Sequence, residues 1–379
     1  PNHPPPLLNS ASPWCTTLSH LRALYASPHT GAITTRTALL GAAAPFPHDD
    51  AVHQFTFFNP GSHDALAANP AGGTEDDSKT GSLNTLGYSP IGLDEYLAFV
   101  EAISRELAEE KDDDDEDDDK TRKPPRNNNN NNKPIILSVA GPPSSVLSAY
   151  HLISTLQPQV HMPLALEINL SCPNIADAPP PAYSAAALGS YFAALQRGRS
   201  EQEDEEEEEK EEDKRYAVPI GIKTPPYTYQ DQFQQLVDAL LEAAETGPET
   251  CCPIDFITAT NTLGCSLLLT PSTPLSPSLS PSTAPTPSPP TFHPTLHSAT
   301  NTGLGGLAGT PLHPLALGNV YTIKTLLLQH QQLAHIQIIG VGGVEDAAGY
   351  RRMRAVGAAA VGVGTALGRK GVGVFGEII

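Results

Sequence analysis

Residues that could bind a charged ligand or move a proton recur directly after short apolar runs of this chain. Asn169-Leu170-Ser171-Cys172-Pro173-Asn174 follows one run, and Thr260-Asn261-Thr262-Leu263-Gly264 follows another. Lys223 ends a third run, while Gly342-Gly343 and Gly364-Thr365 follow two more. Taken alone, each has an ordinary structural explanation, because a single cysteine is more often a small buried residue and a glycine pair more often fixes a bend. Together they indicate one polar rim, since polar groups are costly to bury without partners.

The chemistry of this rim favours a ligand with a phosphate. Glycines after two late strands would leave backbone N–H groups open to a phosphate, at the place where barrels commonly bind one. Lys223 could place a positive charge beside a group that becomes anionic on reduction, such as the N1/O2 edge of a flavin. Asparagine side chains carry both a donor and an acceptor, which suits a ring with alternating carbonyl and N–H groups, such as a pyrimidine.

Eight apolar segments are predicted to be strands, and segments with helical periodicity lie between them. The predicted strands are Leu7–Ser10, Gly31–Thr37, Ile135–Ala140, Leu164–Leu170, Pro219–Lys223, Asp255–Ala259, Ile336–Gly340 and Ala358–Val363. The predicted helices are Thr16–Ala26, Leu93–Ala108, Ser144–Leu156, Ala185–Gln196, Tyr229–Thr246, Pro314–Gln331, Glu345–Val356 and Gly371–Ile379. This alternation predicts an α/β fold, a closed parallel (β/α)8 TIM barrel, in which the loops after the strands carry the chemistry.

Three stretches offer too little apolar surface to offset the entropy of ordering them. Residues 109–132, 201–215 and 270–294 are therefore predicted to be disordered insertions within a single domain spanning 1–379. Acidic runs in the first two account for 16 of the 20 net negative charges. The remainder of the chain is close to neutral, and no surface basic enough to follow nucleic acid is expected.

The five cysteines lack the spacing of a zinc site or a disulfide framework. Reduced thiols in an intracellular compartment, and no metal site, are the expectation. No apolar run approaches the roughly 20 residues that a membrane-spanning helix requires. We therefore expect a cytoplasmic protein without a membrane partner.

Three motifs together resemble the dihydroorotate dehydrogenases of the soluble class 1. They are Asn169–Asn174, Ser82-Leu83-Asn84-Thr85-Leu86-Gly87 and Ile338-Ile339-Gly340-Val341-Gly342-Gly343. The resemblance runs from Leu7 to Ile379, interrupted by the three insertions, and Cys172 stands where the membrane-associated class 2 has serine. The segments running from Cys172 to Tyr183 and from Leu86 to Tyr96 are similar to class 1A, which forms homodimers and passes electrons to fumarate.

This resemblance implies that the chain binds FMN and oxidises dihydroorotate to orotate, with Cys172 taking the C5 proton while FMN receives hydride from C6. The loop from Cys172 to Tyr183 would be a lid over the substrate. The implied substrate-binding residues are Arg36, Asn84, Leu86, Gly87, Asn169, Asn174, Asn261 and Thr262. The implied FMN-binding residues are Ser10, Arg36, Thr37, Asn169, Lys223, Gly309, Gly342, Gly343, Gly364 and Thr365, with the last four around the phosphate.

Two positions depart from the family pattern. Arg36 stands where the family usually has lysine, which keeps the charge but changes the shape of the donor. Asn9-Ser10-Ala11-Ser12 replaces Asn-Ala-Ser-Gly, so a glycine that lets a flavin approach closely is missing. Two alternatives stay open: another FMN barrel enzyme acting on a pyrimidine, such as a dihydropyrimidine or dihydrouridine oxidoreductase, and a non-catalytic paralogue that binds flavin without turnover.

Overall fold

The computed structural model describes residues 5–116, 133–171, 180–206, 218–246, 252–272 and 291–379. The strands in chain order are β1 Leu7–Asn9, β2 Ile33–Thr34, β3 Phe55–Phe58, β4 Gly81–Asn84, β5 Ile135–Val139, β6 Leu164–Asn169, β7 Ile220–Thr224, β8 Phe256–Ala259, β9 Leu263–Ser266, β10 Leu269–Pro271, β11 Phe292–Pro294, β12 Gly305–Gly309, β13 Gln337–Val341 and β14 Ala360–Val363. The helices are α1 Leu18–Ala26, α2 Leu93–Glu116, α3 Pro143–Leu156, α4 Ala185–Glu206, α5 Gln230–Thr246, α6 His313–Leu327, α7 Ala347–Ala355, α8 Thr365–Lys370 and α9 Val374–Ile378.

Eight of these strands form one sheet in the order β1-β14-β13-β8-β7-β6-β5-β2, and every neighbouring pair is parallel. The eight strands predicted from apolar runs are these eight, so the predicted (β/α)8 barrel is confirmed. Helices lie between successive strands along the chain and pack on the outside of the sheet. All helices predicted from periodicity are present, with ends that shift by a few residues except in α2 and α4.

Asn9 closes the barrel between β1 and β2. Its side chain is fully buried, its Nδ2 donates to the Thr34 carbonyl at 2.6 Å, and its Oδ1 accepts from the Thr34 N–H at 2.9 Å. The amide of Asn9 thereby makes both bonds that a neighbouring backbone would make. One backbone bond, from Gly31 N–H to the Leu7 carbonyl at 2.8 Å, supports the same seam.

The principal core lies between the barrel strands and the helices. On α5, Phe233, Leu236, Val237 and Leu240 form one buried apolar face. A smaller apolar layer fills the lower interior of the barrel with Leu8, Ile136, Ala165 and Phe256. Gly221 is necessary there, because a Cβ at this position would lie 2.2 Å from the Phe256 ring.

A second sheet, absent from the sequence-based prediction, covers one side of the barrel mouth. It is antiparallel, with the order β3-β4-β12-β9, and a two-stranded pair, β10 and β11, extends beyond it. This sheet brings Asn84 at the end of β4 and Gly309 at the end of β12 over the barrel.

The structure corrects the boundaries of the predicted insertions. Helix α2 continues through residues 109–116, helix α4 continues through residues 201–206, and strands β10 and β11 occupy both ends of the predicted insertion 270–294. These residues were predicted to be disordered, but the helices continue past their last apolar positions. The remaining parts, 117–132, 207–215 and 273–290, lie outside the described residues. Among the described helices, none has both the length and the apolar character needed to cross a membrane.

Candidate active site

A cavity opens at the carboxyl ends of the barrel strands, beneath the second sheet. It contains about 1030 Å³ of empty space, part of it open to solvent. Most of its lining comes from residues that end or follow a barrel strand, such as Asn169 at the end of β6, Thr260 after β8 and Gly342 after β13, together with the ends of β4 and β12. A space of this size at the strand ends matches the usual location of ligand sites in such barrels.

The cavity brings together every predicted site residue that the structure describes. Fifteen line it: Ser10, Arg36, Thr37, Asn84, Leu86, Gly87, Asn169, Lys223, Asn261, Thr262, Gly309, Gly342, Gly343, Gly364 and Thr365. Their convergence is therefore observed, while the role of each remains a prediction. Cys172 and Asn174 lie outside the described residues, as does most of the predicted lid.

One end of the cavity is built from backbone. Gly309 and Gly343 have φ values of 80° and 66°, which favour glycine. A Cβ on Gly343 would lie 2.6 Å from the Gly309 carbonyl oxygen, so these two segments approach as closely as they do only because residue 343 lacks a side chain. Gly364 has no heavy atom within 4 Å of an ideal Cβ, and the Thr365 hydroxyl is held by the Ser82 hydroxyl at 2.8 Å. This end offers N–H and hydroxyl groups around open space.

Glu345 lies behind the glycine end, beside a small recess that shares Gly309, Gly343 and Gly364 with the main cavity. Its carboxylate accepts from Arg369 at 2.7 Å, and the Arg369 side chain is almost fully buried. Burial raises the pKa of Glu345, while Arg369 opposes that rise. Arg369 and Glu345 carry opposite charges, so the pair adds little net charge beside the recess.

Lys223, near the end of β7, supplies a positive charge to the cavity wall. It is 3% exposed, and its Nζ donates to the Ser10 hydroxyl at 3.2 Å. None of the described carboxylates forms an ion pair with it. A buried ammonium without an anionic partner is costly, so an anionic or electron-rich ligand atom would be stabilised beside it.

Asparagine side chains form the floor between β6 and β8. The Asn169 Oδ1 accepts from the Ser171 N–H at 3.2 Å and from the Asn261 Nδ2 at 3.3 Å, while its Nδ2 donates to the Thr37 hydroxyl at 3.1 Å. The backbone N–H of Thr262 donates to the Asn261 Oδ1 at 2.8 Å. These bonds fix both amide groups before any ligand is present.

Arg36 occupies the wall formed by the loop after β2. The residue is 8% exposed, and its Nη2 lies 3.5 Å from the Gly87 carbonyl. Burial lowers the pKa of His48, and Arg36 lowers it further; burial is also the largest cause of the lowered pKa of His53. Both shifts favour the neutral imidazole near Arg36.

Sequence reasoning missed part of the lining. Trp14, Phe55 and Tyr88 contribute aromatic walls, and Trp14 stacks on Phe57 with ring centroids 5.8 Å apart. Trp14 belongs to a short turn and Phe55 to the second sheet, so no strand-end pattern pointed to them. Thr260, directly after β8, was within the quoted motif but received no role.

One buried polar group of the lining bears on its fit to FMN. Thr260 is 1% exposed and lines the cavity, yet its Oγ1 has no hydrogen-bond partner among the described residues. A ring carbonyl or N–H would satisfy such a group. Lys223 suits the electron-rich edge of a flavin, and the open space at Gly364 suits a phosphate. The residues present therefore fit FMN.

Comparisons with known proteins agree with this geometry. The sequence profile described as "Dihydroorotate dehydrogenase" matches residues 72–270 and 292–379. A protein of Lactococcus lactis subsp. cremoris, named dihydroorotate dehydrogenase A (fumarate), is 25% identical over 308 residues, covering 80% of this chain and 73% of its own. A Streptococcus equi protein, named putative dihydroorotate dehydrogenase A (fumarate), is 25% identical over 373 residues, covering 98% and 86%. Ligand-free DHODH of Eimeria tenella has a similar fold, with a TM-score of 0.54, 17% identity and coverage of 98% of this chain and 82% of that chain.

Proposed function

Because the chain belongs to the dihydroorotate dehydrogenase family, we propose that it is the FMN-dependent enzyme that oxidises (S)-dihydroorotate to orotate in UMP biosynthesis, with fumarate as electron acceptor. The observation that carries the proposal is the convergence on one cavity of fifteen residues that the family resemblance implies. These residues come from both sheets and from segments far apart in the chain. A purely structural explanation would have to account for each of them separately.

The glycine end would hold the FMN phosphate. Backbone N–H groups of Gly342, Gly343, Gly364 and Thr365 would donate to it, and Ser82 would orient the Thr365 hydroxyl. Lys223, held by Ser10, would bind the electron-rich edge of the ring, with Thr37 and Asn169 on the floor. FMN, when bound, supplies the hydride acceptor.

The opposite part of the cavity would hold the pyrimidine. Asn84, Asn261 and Thr262 present donors and acceptors suited to ring amide groups, and Leu86 and Gly87 would form the adjoining wall. Arg36 would pair with the substrate carboxylate, because a guanidinium can bind a carboxylate through two parallel bonds. This cation favours dihydroorotate over a neutral dihydropyrimidine or a dihydrouridine.

Cys172 would act as the base that removes the C5 proton, and Asn174 would bind the substrate from the same loop. Both follow Ser171, whose hydroxyl donates to the Asn169 Oδ1 at 2.8 Å and accepts from the Asn261 Nδ2 at 2.9 Å. The residue that precedes Cys172 is therefore anchored to the cavity floor. Closure of the loop up to Tyr183 would exclude water from the proton transfer.

Fumarate, a homodimer and a cytoplasmic location complete the proposal. The relatives named above carry fumarate in their names, and the class 1A resemblance implies two identical subunits. Four partly exposed apolar residues on and beside β9 to β12 offer a surface for the second copy: Leu267, Leu269, Phe292 and Leu304. Leu269 and Phe292 lie on the paired strands β10 and β11, and large exposed apolar patches mark interaction surfaces.

The decisive experiment is anaerobic reduction of the purified protein. We expect one FMN per chain, loss of flavin absorbance on addition of dihydroorotate, and its return on addition of fumarate. Retained flavin without bleaching would identify a non-catalytic paralogue. Bleaching by a neutral dihydropyrimidine or by dihydrouridine, but not by dihydroorotate, would replace the proposed substrate.

A further inference from the structure

A buried carboxylate lies beneath the cavity floor and has no part in the function proposed so far. Glu167 is 2% exposed and lies two residues before Asn169 on β6, so both side chains point into the barrel. Its Oε1 accepts from the Ser138 hydroxyl at 2.9 Å, and its Oε2 accepts from the Thr258 hydroxyl at 2.6 Å. None of the described basic side chains forms an ion pair with it. A buried carboxylate without a cation is expensive compared with an apolar side chain.

The hydrogen bonds that link Asn169 to Glu167 through Thr37 and Ser138 all donate towards Glu167. A carboxylate can only accept, so the Ser138 hydroxyl must donate to it. Ser138 therefore accepts from the Thr37 hydroxyl, 2.9 Å away. Thr37, having donated its hydrogen, accepts from the Asn169 Nδ2 at 3.1 Å. Asn169 thus sits at the top of a chain that ends on a fixed acceptor.

This direction limits what Asn169 can offer to a ligand. Its oxygen already accepts from the Ser171 N–H, the Ser171 hydroxyl and the Asn261 amide. Its nitrogen has two hydrogens, of which Thr37 takes one. The remaining hydrogen makes Asn169 a donor towards the cavity that it lines. The matching ligand atom must be an acceptor, such as a ring carbonyl oxygen or a ring nitrogen lone pair.

We propose that Glu167 is a positioning residue, which acts through Ser138 and Thr37 to hold Asn169 as a hydrogen-bond donor facing the ring ligand. This inference rests on the proposed function, and it adds a residue that does not line the cavity. Thr258 binds the other carboxylate oxygen and is not part of the chain to Asn169. Loss of the Ser138 hydroxyl tests the positioning role of Glu167, whereas loss of the Thr258 hydroxyl tests only the packing around the same carboxylate.

The experiment uses the FMN-loaded protein and three variants: Ser138→Ala, Glu167→Gln and Thr258→Val. Ser138→Ala removes the link in the chain with the smallest change in volume. Glu167→Gln removes the charge, and its amide can serve only one of the two hydroxyls as an acceptor. Thr258→Val is the matched control, because it removes a hydrogen bond of the same carboxylate outside the chain. Orotate binding is measured at equilibrium from the change in flavin absorption, alongside the flavin midpoint potential.

We expect the orotate dissociation constant to rise about tenfold in Ser138→Ala, which breaks the chain to Asn169. It should rise by a smaller factor in Glu167→Gln, whose amide oxygen can still accept from Ser138, and by less than about twofold in Thr258→Val. Only Glu167→Gln should move the flavin potential upward, because it alone removes a negative charge near the cavity. Unchanged orotate binding in Ser138→Ala would overturn the inference. An equal loss of orotate affinity in Thr258→Val would also overturn it, because the loss would then not depend on the chain through Ser138. Absence of orotate binding in the parent protein would instead overturn the proposed function itself.

Discussion

Lys223 offers the most quantitative test of the cavity's electrostatics. It is 3% exposed, donates to Ser10, and pairs with none of the described carboxylates. Two unit charges about 4 Å apart in partly buried surroundings interact by about 4 kcal/mol. For a two-electron couple, about 1.4 kcal/mol corresponds to about 30 mV. Replacing Lys223 with methionine should therefore lower the midpoint potential of bound FMN by up to about 90 mV.

Methionine preserves the length and apolar stem of the side chain, so the fold should survive the change. Removal of an uncompensated buried ammonium should leave the FMN-free protein at least as stable as the parent in urea unfolding. The potential would be measured by equilibrating the flavin absorbance with a reference dye. Parent and variant should be compared at one pH and one ionic strength.

Lys133→Met provides the matched control for this measurement. Lys133 is also buried and also bonds oxygen atoms alone, the carbonyls of Tyr25 and Ser27 and the hydroxyl of Thr30, but it lies near the amino-terminal end of the barrel strands. Its loss should leave the flavin potential unchanged. An unaltered potential in Lys223→Met, or equal shifts in the two variants, would refute the assignment of Lys223 to the flavin.

Three further predictions follow from the cavity and the barrel. Cys172→Ser should keep FMN but slow flavin bleaching by orders of magnitude, and the parent rate should rise between about pH 6 and about 9 as the thiol ionises; equal rates in stopped-flow measurements would exclude the base. Gly343→Ala should weaken FMN binding at least about tenfold, because its Cβ would lie 2.6 Å from the Gly309 carbonyl. Gly371→Ala is the matched control, because Gly371 has a similar φ of 69° and no atom within 4 Å of an ideal Cβ. Equal FMN affinities of the two variants in a fluorescence titration would argue against a phosphate site at the glycines. Burial lowers the pKa of Lys133 to about 8 from 10.5, so between these values the unfolded chain binds more protons and the unfolding free energy rises with pH. Lys133→Met should remove that rise, and an identical pH dependence of urea unfolding in both proteins would contradict it.

The barrel could be predicted from sequence because its strands are buried on both faces. Ile135–Val139 and Leu164–Asn169 are mostly apolar and buried along their length, which is typical of parallel strands covered by helices. Site residues at strand ends could be predicted for a related reason: the carboxyl ends of all eight strands meet at one mouth. Lys223 and Asn169, in register with each other, illustrate this convergence.

The second sheet could not be predicted in the same way. Strand β12 has the sequence Gly-Gly-Leu-Ala-Gly, which is typical of a loop, and it pairs with β4 more than 200 residues earlier in the chain. A local sequence pattern cannot predict that two strands so far apart in the chain will pair. The aromatic walls from Trp14 and Phe55 were missed with it, as was Glu167, because a lone acid inside an apolar run gives no indication of its partners. The continuation of α2 and α4 into acidic sequence likewise depends on helix propagation beyond the packed segment.

The hydrogen bonds of Asn9 between β1 and β2 couple local opening of the barrel to the cavity. A side chain holds the two strands together there, with one amide making both bonds to Thr34. Ser10, which follows Asn9 directly, accepts the bond from Lys223 in the cavity wall. Separation of β1 from β2 would therefore also weaken the hydrogen bond between Ser10 and Lys223. Amide hydrogen exchange at Thr34 should accordingly slow when a ligand occupies the cavity. Thr34 does not line the cavity, so its exchange rate would report ligand binding without direct contact.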